Sequence, residues 1–299
     1  MQQLQTQLKN SQDIKSVLKR VEVTIDLANG IAVDTLLIYL PFTNGKYDTQ
    51  SLFDVIKSSI LANFVFTCTE IEKKLGVKNT KAPEKLFQKA VRKLSQKTAH
   101  GELGELLLFT LLDVYIGAPK ILSKITLKTS RQMPAFGADA VHAQYINGEL
   151  RLYLGESKLH KSFNGAAAKA VTSITNALVK YTDEFDAIDS HMDFPNLDPK
   201  LAENLIEILD PFTENDKASI ENILHSPCFI GFADPHLIAF DENEFHDQYI
   251  ELAKQHIDNF YNKLKSTDNE LDKTILILLP FACTTELVKD FIKYMDIKK

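Results

Sequence analysis

Two runs of alternating apolar and polar residues, joined by Asn147-Gly148, form the clearest hydrophobic pattern in the chain. Asn-Gly between β-branched and aromatic runs predicts a β-hairpin with a tight type I′ turn, because both residues tolerate positive φ. Such a short loop also fixes the register. If Ile146 faces Glu149, apolar residues share one face, in the pairs Val141 with Leu154, Ala143 with Leu152 and Tyr145 with Leu150. We predict that the opposite face lies in water, and its residues are His142, Tyr153, Gln144 and Arg151.

The same register places two carboxylates opposite each other at the open end of the hairpin. Asp139 faces Glu156 on the apolar side, and Lys158, two residues further on, shares that side. Facing carboxylates have Cβ atoms about 5 Å apart and repel each other, and burial raises that cost unless a cation lies between them. Mg²⁺, or Mn²⁺ in its place, suits such oxygen ligands, and the carbonyl of Ser157 is a candidate further ligand. The hairpin is therefore predicted to hold a divalent metal ion.

The segment 99–116 is apolar on nearly every side, which predicts a buried helix before the hairpin. Two glutamates interrupt it. Glu102 lies in the first turn, where the helix dipole favours a carboxylate, so a structural role can explain it. Glu105 lies a turn deeper among leucines. We predict that Glu105 belongs to the site, and Glu102 is the alternative.

The remaining pattern predicts two domains, residues 1–95 and residues 96–299. The first is an N-terminal α+β accessory lobe with a surface for a partner or for DNA. Its predicted elements are strands 21–28 and 36–40, joined through Asn29-Gly30, and helices 50–66, 70–75 and 83–95.

The second predicted domain contains the hairpin and two buried strands, 228–233 and 273–279, each followed by helical sequence. Strand and helix in this alternation imply parallel strands added beside the hairpin. The other predicted elements are a strand at 121–127 and helices 165–181, 199–209, 244–266 and 285–297. The fold class is therefore α/β, with a mixed central sheet and flanking helices.

Composition and charge limit which classes of function are expected. The 299 residues are 44% hydrophobic, 25% charged and carry a net charge of −6, which does not favour a general nucleic-acid binder. The charge is uneven, with nine Lys or Arg against two acids in 71–100 and twelve acids against two bases in 183–221. This division is compatible with one phosphate-facing surface and one that meets a basic partner, although solvated helix faces explain each run equally well.

The expected environment is a reducing cytoplasm. The three cysteines have no paired spacing, so neither a disulfide framework nor a zinc site is indicated. No apolar run approaches the roughly 18 residues that span a bilayer, and we expect no membrane partner. Near the hairpin, the candidate phosphate contacts are Lys128, Arg131, Gln132 and Lys169. A surface or packing role is the simpler interpretation for His142 and His160.

Asp139, sixteen intervening residues and then Glu156-Ser157-Lys158 resemble the PD-(D/E)xK nuclease motif, although Gly137-Ala138 stand where that motif often has proline. The resemblance implies that Asp139 and Glu156 hold the metal, that Lys158 orients the attacking water and that a helix glutamate, here Glu105, completes or orients the site.

A wider resemblance rests on the helix starting Gly101-Glu-Leu-Gly-Glu, on Phe136-Gly-Ala-Asp139, on Leu154-Gly-Glu-Ser-Lys158 and on the small-residue helix that follows. Together these segments resemble the HamA family, the nuclease subunits of the Hachiman anti-phage defence system. That resemblance implies DNA cleavage with little sequence preference. It also implies a HamB-type superfamily 2 helicase partner, which would restrain the nuclease and release it on DNA.

The expected function is thus a Mg²⁺-dependent DNA endonuclease that serves as the effector of a helicase–nuclease complex. One alternative is a restriction or repair nuclease with the same site. Another is a scaffold that keeps the nuclease fold without catalysis, and metal binding would distinguish this scaffold from either nuclease. The sequence leaves open duplex DNA, single-stranded DNA and RNA as substrates.

Overall fold

The computed structural model describes residues 6–75, 81–122, 124–128, 130, 132, 137–147, 149–191, 193, 207, 217–267 and 269–299. Within this part of the chain, no single helix has the length and apolar character needed to cross a bilayer; one pair, Thr49–Val65 with Cys68–Leu75, has them jointly but is bent by 118°.

A mixed β-sheet of eight strands forms the centre of the described structure. Its strands are β1 (Lys19–Val21), β2 (Asp34–Tyr39), β5 (Lys120–Leu122), β6 (Ala140–Ile146), β7 (Glu149–His160), β8 (Leu224–His225), β9 (Cys228–Ala233) and β10 (Ile275–Phe281). The spatial order is β1-β2-β10-β9-β7-β6-β5, and β8 pairs with β7. The short strands β3 (Phe42–Thr43) and β4 (Lys46–Tyr47) form a separate hairpin.

Parallel strands occupy the middle of the sheet and antiparallel strands its two ends. β2, β10, β9 and β7 run parallel to one another. β1 pairs antiparallel with β2, and β5, β6 and β7 are antiparallel in turn. The predicted mixed sheet, with parallel strands beside the hairpin, is confirmed.

Helices cover both faces of this sheet. They are α1 (Ser11–Val17), α2 (Thr49–Val55), α3 (Leu61–Val65), α4 (Cys68–Leu75), α5 (Ala82–Val91), α6 (Ala99–Leu111), α7 (Phe163–Val179), α8 (Tyr181–His191), α9 (Lys217–Ile223), α10 (Pro235–Ile238), α11 (Glu242–Lys265) and α12 (Thr284–Met295). Short π-helical segments, Ile56–Ile60 and Leu112–Ile116, continue α2 and α6, and 3₁₀ turns lie at Lys124–Leu127 and Leu271–Lys273.

Each face of the sheet has its own hydrophobic core. The first core joins α1, α2, α3, α5, α6 and α12 to one face. The second joins α7, α10 and α11 to the other, and a third, under α8 and α9, continues that face beneath the hairpin. Because side chains alternate along each strand, successive residues of β7 enter different cores.

The hairpin is buried on both faces, so the prediction that one face lies in water is wrong. Tyr153 and His142 are each 1% exposed. The reason is α6, whose Phe109 packs its ring 5.7 Å from the ring of His142. A helix that is apolar all round covers a sheet face as readily as it fills a core.

Some predicted boundaries also change. The strand predicted at 121–127 is only Lys120–Leu122, because the chain turns into the 3₁₀ segment Lys124–Leu127. The opening hairpin turns near Asn29-Gly30, with a bridge from Asp26 to Ala32, but its ladder is β1 with β2. The helix predicted at 199–209 falls almost wholly outside the described residues.

The division into two domains at residue 95 stays a prediction. β1 and β2, from the first predicted domain, form one end of the central sheet through the pairing of β2 with β10. Helices of both predicted domains also share the first hydrophobic core.

Candidate active site

The hairpin has the predicted register. Ile146 pairs with Glu149, and the pairing continues in step to Ala140 opposite Gly155. The N–H of Asp139 donates to the carbonyl of Gly155 at 2.8 Å, which places Asp139 at the end of the ladder, against Gly155. Asn147 has the positive φ, 54°, that a type I′ turn requires. Gly148 lies outside the described residues.

Ser157 fixes the carboxylate of Asp139. The backbone N–H of Ser157 donates to Asp139 Oδ2 at 2.8 Å, and the Ser157 hydroxyl donates to the same oxygen at 2.9 Å. No residue in the described ranges donates to Oδ1 of Asp139. One oxygen of this carboxylate is therefore tied to β7, and the other can accept a ligand.

Glycine brings α6 close to this hydrogen-bonded pair. A Cβ atom on Gly104 would lie 3.1 Å from the hydroxyl oxygen of Ser157, and 3.9 Å from the Cβ of Leu159. Any larger residue at position 104 would press on the hydroxyl that orients Asp139. The absence of a side chain lets the helix approach β7 closely enough to bring Glu105 to the site.

Glu156 and Lys158 lie on the opposite face of β7, toward α7. The Lys158 ammonium contacts Glu156 Oε1, and both side chains are largely buried. Burial and the neighbouring Asp139 carboxylate raise the pKa of Glu156 to about 7, although Lys158 and the Ser173 hydroxyl oppose that shift. Burial disfavours the Lys158 ammonium, but its contact with Glu156 more than compensates and raises the lysine pKa.

Glu105 meets Asp139 from the α6 side. Burial, followed by the charge of Asp139, raises the pKa of Glu105 to about 8, and the ammonium groups of Lys128 and Lys124 oppose the shift. Glu105 and Asp139 also line one small pocket together with Lys124. The charge of Asp139 thus helps to raise the pKa of two carboxyl groups, that of Glu105 on the α6 side of the sheet and that of Glu156 on the α7 side.

Glu102 is fully engaged in structural contacts. Its Oε1 lies 2.6 Å from Lys128 Nζ, and the side chains of the pair are only 1% and 5% exposed. The Thr98 hydroxyl donates to the same oxygen at 2.7 Å, and the Ser95 N–H donates to Oε2 at 3.3 Å. This leaves Glu105 as the helix glutamate near Asp139, and Lys128 lacks the exposure that a phosphate contact requires.

The other candidate side chains lie outside this cluster. His142 is buried, its Nδ1 is 2.7 Å from the carbonyl oxygen of Ala118, and burial lowers its pKa to about 3. His160 contacts the backbone of Ser162, and Lys169 is exposed on α7. Gln132 is exposed, whereas Arg131 lies outside the described residues.

The oxygen donors fit a hard divalent ion. Mg²⁺ takes one or two protein carboxylates and fills its other positions with water or phosphate oxygens. Asp139 and Glu156 supply two such carboxylates, and the repulsion that raises the pKa of Glu156 is the kind that a cation relieves. In the described part of the chain, no three His, Cys, Asp or Glu side chains already form a metal-ligand cluster. The fit therefore rests on the two carboxylates alone.

Comparison with known proteins adds the family. A model of the HamA family matches residues 15–295. The chain belongs to the HamA family. HamA proteins are associated with the Hachiman defence system, and the match extends across both predicted domains. No curated protein matches this member of the HamA family.

The sequence motif does not reveal several contacts of this HamA site. The serine of Glu156-Ser157-Lys158 occupies an unspecified motif position, yet it holds Asp139. Lys128 is separated from Glu102 in sequence but pairs with it. One signal could have been used: two glycines, Gly101 and Gly104, within a leucine-rich helix indicate a close backbone approach.

Proposed function

We propose that this chain is a metal-dependent DNA endonuclease. The observation that carries the proposal is the pair of neighbouring carboxylates, Asp139 and Glu156, which act on each other electrostatically, with the ammonium of Lys158 at Glu156. A buried pair of like charges is destabilising unless a cation relieves the repulsion. Metal binding gives both carboxylates a function.

In this proposal Asp139 and Glu156 would hold Mg²⁺, with the Ser157 carbonyl as a further ligand. The ion would polarise a phosphodiester and lower the pKa of water. Ser157 keeps Asp139 oriented through its two hydrogen bonds. Lys158 would supply a positive charge for the negative charge that develops on the phosphate.

Glu105 would support the site from the α6 face. Its raised pKa, about 8, means that it holds a proton near neutral pH until a cation approaches Asp139. Burial and Asp139 both favour that proton, so adding positive charge at Asp139 would favour its release. Glu105 could then act as an additional anionic group or proton acceptor at the same centre.

Family membership supports a role in defence. We propose that this HamA protein is the effector of a Hachiman complex, that a HamB-type helicase restrains it, and that the target is DNA without sequence preference. A restriction or repair nuclease would use the same carboxylates. A catalytically inactive scaffold would have no use for these carboxylates, so a metal-binding measurement distinguishes the scaffold from a nuclease.

The test is cleavage of supercoiled plasmid in Mg²⁺, with and without EDTA, by the chain alone and together with its helicase partner. Lys158→Ala is compared with Lys180→Ala, which alters an exposed lysine at the end of α7. We expect metal-dependent cleavage that is lost in Lys158→Ala and kept in Lys180→Ala. Equal activity of the two variants would refute the site assignment.

A Mn²⁺ titration of the wild type and of Asp139→Ala measures metal binding separately from cleavage. Binding that requires Asp139 would support the nuclease. No binding by folded wild-type protein, together with no cleavage in either format, would instead favour the scaffold.

A further inference from the structure

One face of α5 carries a row of cations. Lys85, Lys89 and Arg92, four and then three residues apart, are all exposed. At 3.6 residues per turn these positions fall within about 60° of one another. The residues that α5 and its last turn bury, on the opposite side, are Leu86, Ala90, Val91 and Leu94. We call the three cations and the adjacent exposed Lys93 and Lys97 the α5 basic face.

The α5 basic face is not neutralised by neighbouring acids. No carboxylate among the described residues lies within 4.0 Å of its five cations. Other surface lysines are neutralised: Lys254 lies 2.6 Å from Glu251, and Lys289 lies 2.7 Å from Glu286. An unpaired row of cations produces a local positive potential on a protein whose net charge is −6.

The chain runs from the α5 basic face directly into α6, the helix that carries Glu105. Arg92 is three residues from Ser95, so their Cα atoms are at most about 10 Å apart. Ser95 donates its N–H to Glu102 at 3.3 Å, and Glu105 follows less than one helical turn later. The α5 basic face is therefore linked, through Ser95 and Glu102, to the end of α6 that carries Glu105.

We propose that the α5 basic face binds the phosphodiester backbone of duplex DNA and guides it to the site. This inference rests on the proposed nuclease function and identifies where its substrate is held. Successive cations on the helix are about 4.5–6 Å apart along its axis, and a duplex presents a phosphate charge every 1.7 Å or so of its length. Contacts of this kind carry no sequence information, as a nuclease with little sequence preference requires.

The net negative charge strengthens the case for a specific orientation. The net charge of −6 disfavours DNA binding overall, whereas the α5 basic face attracts it, so the field would steer the duplex to this face. An acidic protein surface could be attracted as well. The duplex is favoured because the face leads, through Ser95 and Glu102, to the helix that carries Glu105, at the site where the proposed substrate must lie.

The experiment measures binding of a short fluorescent duplex of mixed sequence at several salt concentrations, in the Asp139→Asn background so that the DNA stays intact. The variant Lys85→Gln, Lys89→Gln, Arg92→Gln is compared with Lys254→Gln, Lys265→Gln, Lys289→Gln, which removes the same charge from exposed positions on α11 and α12. Melting curves and Mn²⁺ titration of each triple variant in the otherwise wild-type chain verify the fold and the metal site.

We expect the α5 variant to bind on the order of tenfold more weakly, and its plot of log affinity against log salt to be shallower by about 2.7, which corresponds to three lost phosphate contacts. The α11 and α12 control should bind the duplex like the parent protein. Metal binding should be the same in both.

An α5 variant that binds DNA with unchanged affinity and salt slope would overturn the inference. If wild-type protein still cut plasmid in that case, the nuclease assignment would stand without it. If the α5 variant bound duplex DNA normally but no longer bound an acidic protein partner, the α5 basic face would be a protein-docking face instead. Failure of the parent protein to bind duplex at all would overturn the inference, and Mg²⁺-dependent cleavage would then decide the nuclease assignment by itself.

Discussion

Ser157 donates both its N–H and its hydroxyl to one oxygen of Asp139, at 2.8 and 2.9 Å. The two donors lie on the strand that also carries Glu156 and Lys158, so one rigid β-strand determines the position of all three proposed functional groups. Sites built on such elements hold their geometry better than sites on loops.

Ser157→Ala should weaken metal binding while the protein remains folded. The variant keeps the N–H donor and loses the hydroxyl, so Asp139 is oriented less firmly. Removing a group that orients a metal ligand typically costs about 10–100-fold in affinity or activity. Calorimetric titration with Mn²⁺ measures the loss directly, and Ser162→Ala, at an exposed serine after β7, is the control. Unchanged Mn²⁺ affinity in Ser157→Ala would show that the hydroxyl is dispensable.

Gly104→Ala and Gly101→Ala should differ although both replace glycine in α6. Alanine in a helix interior is favoured over glycine by about 1 kcal/mol. At position 101 the new Cβ meets only Glu105 Oε1, at an ordinary 3.8 Å, whereas at 104 it would lie 3.1 Å from Ser157 Oγ. We expect Gly104→Ala to be less stable than Gly101→Ala by about 1–3 kcal/mol in urea unfolding, the usual cost of overpacking. Equal stabilities would indicate that α6 shifts at no cost.

Substitutions of Glu102 and Glu105 should have different effects: the first should lower the stability of the protein, and the second its proposed cleavage activity. Glu102→Gln leaves the Lys128 ammonium buried without its counterion, which typically costs about 3–5 kcal/mol. Glu105→Gln removes a carboxylate that burial and Asp139 both disfavour, so stability should hold or rise, and cleavage should fall. Urea unfolding and plasmid cleavage under conditions where each variant is folded give the two readouts. Full activity in Glu105→Gln would exclude Glu105 from the site.

Asp139→Asn should stabilise the metal-free protein and abolish cleavage. Asparagine can still accept the Ser157 hydrogen bonds, and the substitution removes the charge that raises the pKa of Glu156 and of Glu105. The expected gain is on the order of 1 kcal/mol, seen as a higher melting temperature in EDTA. Adding Mn²⁺ should raise the melting temperature of the wild type only. A lower melting temperature in EDTA would mean that the two carboxylates do not repel each other.

His142 should make the protein sensitive to acid. Burial lowers its pKa from 6.5 to about 3, so the folded state binds fewer protons than the unfolded state between these values. Its contribution to stability is complete above pH 6.5 and is lost as the pH falls toward 3, by up to about 1.4 kcal/mol per pH unit. His142→Asn should therefore lose less stability on acidification than the wild type does. His191→Asn, at an exposed position, is the control, and parallel pH profiles for all three proteins would contradict the prediction.

Local signals predict the centre of this fold well. Asn147-Gly148 was enough to set every pair of the β6–β7 ladder, because a short hairpin loop permits one register. The same register predicted that Asp139 and Glu156 share one face, whereas the Asp139 carboxylate is held by Ser157, on the other face of β7 from Glu156. The apolar runs at β9 and β10 gave parallel strands, because strands buried on both faces lose their alternation.

Long-range packing accounts for what the sequence did not reveal. His142 and Gln144 look solvent-facing in an alternating strand, and only the position of α6 shows that their face is covered. The partner of Lys128 is a glutamate 26 positions away, and no periodicity connects them. Ser157 acts through its backbone as much as through its side chain, so its role depends on where Asp139 lies in space.

The pairing of β2 with β10 joins segments from opposite ends of the chain: Asp34 lies beside Ile275, 241 positions later. During translation, almost the whole polypeptide is synthesised before the parallel neighbour of β2 emerges from the ribosome. Contacts this distant slow folding, and an unpaired strand edge invites aggregation in the meantime. A prematurely terminated chain could not complete its sheet, so the proposed DNA-cutting activity would be confined to products translated through β10.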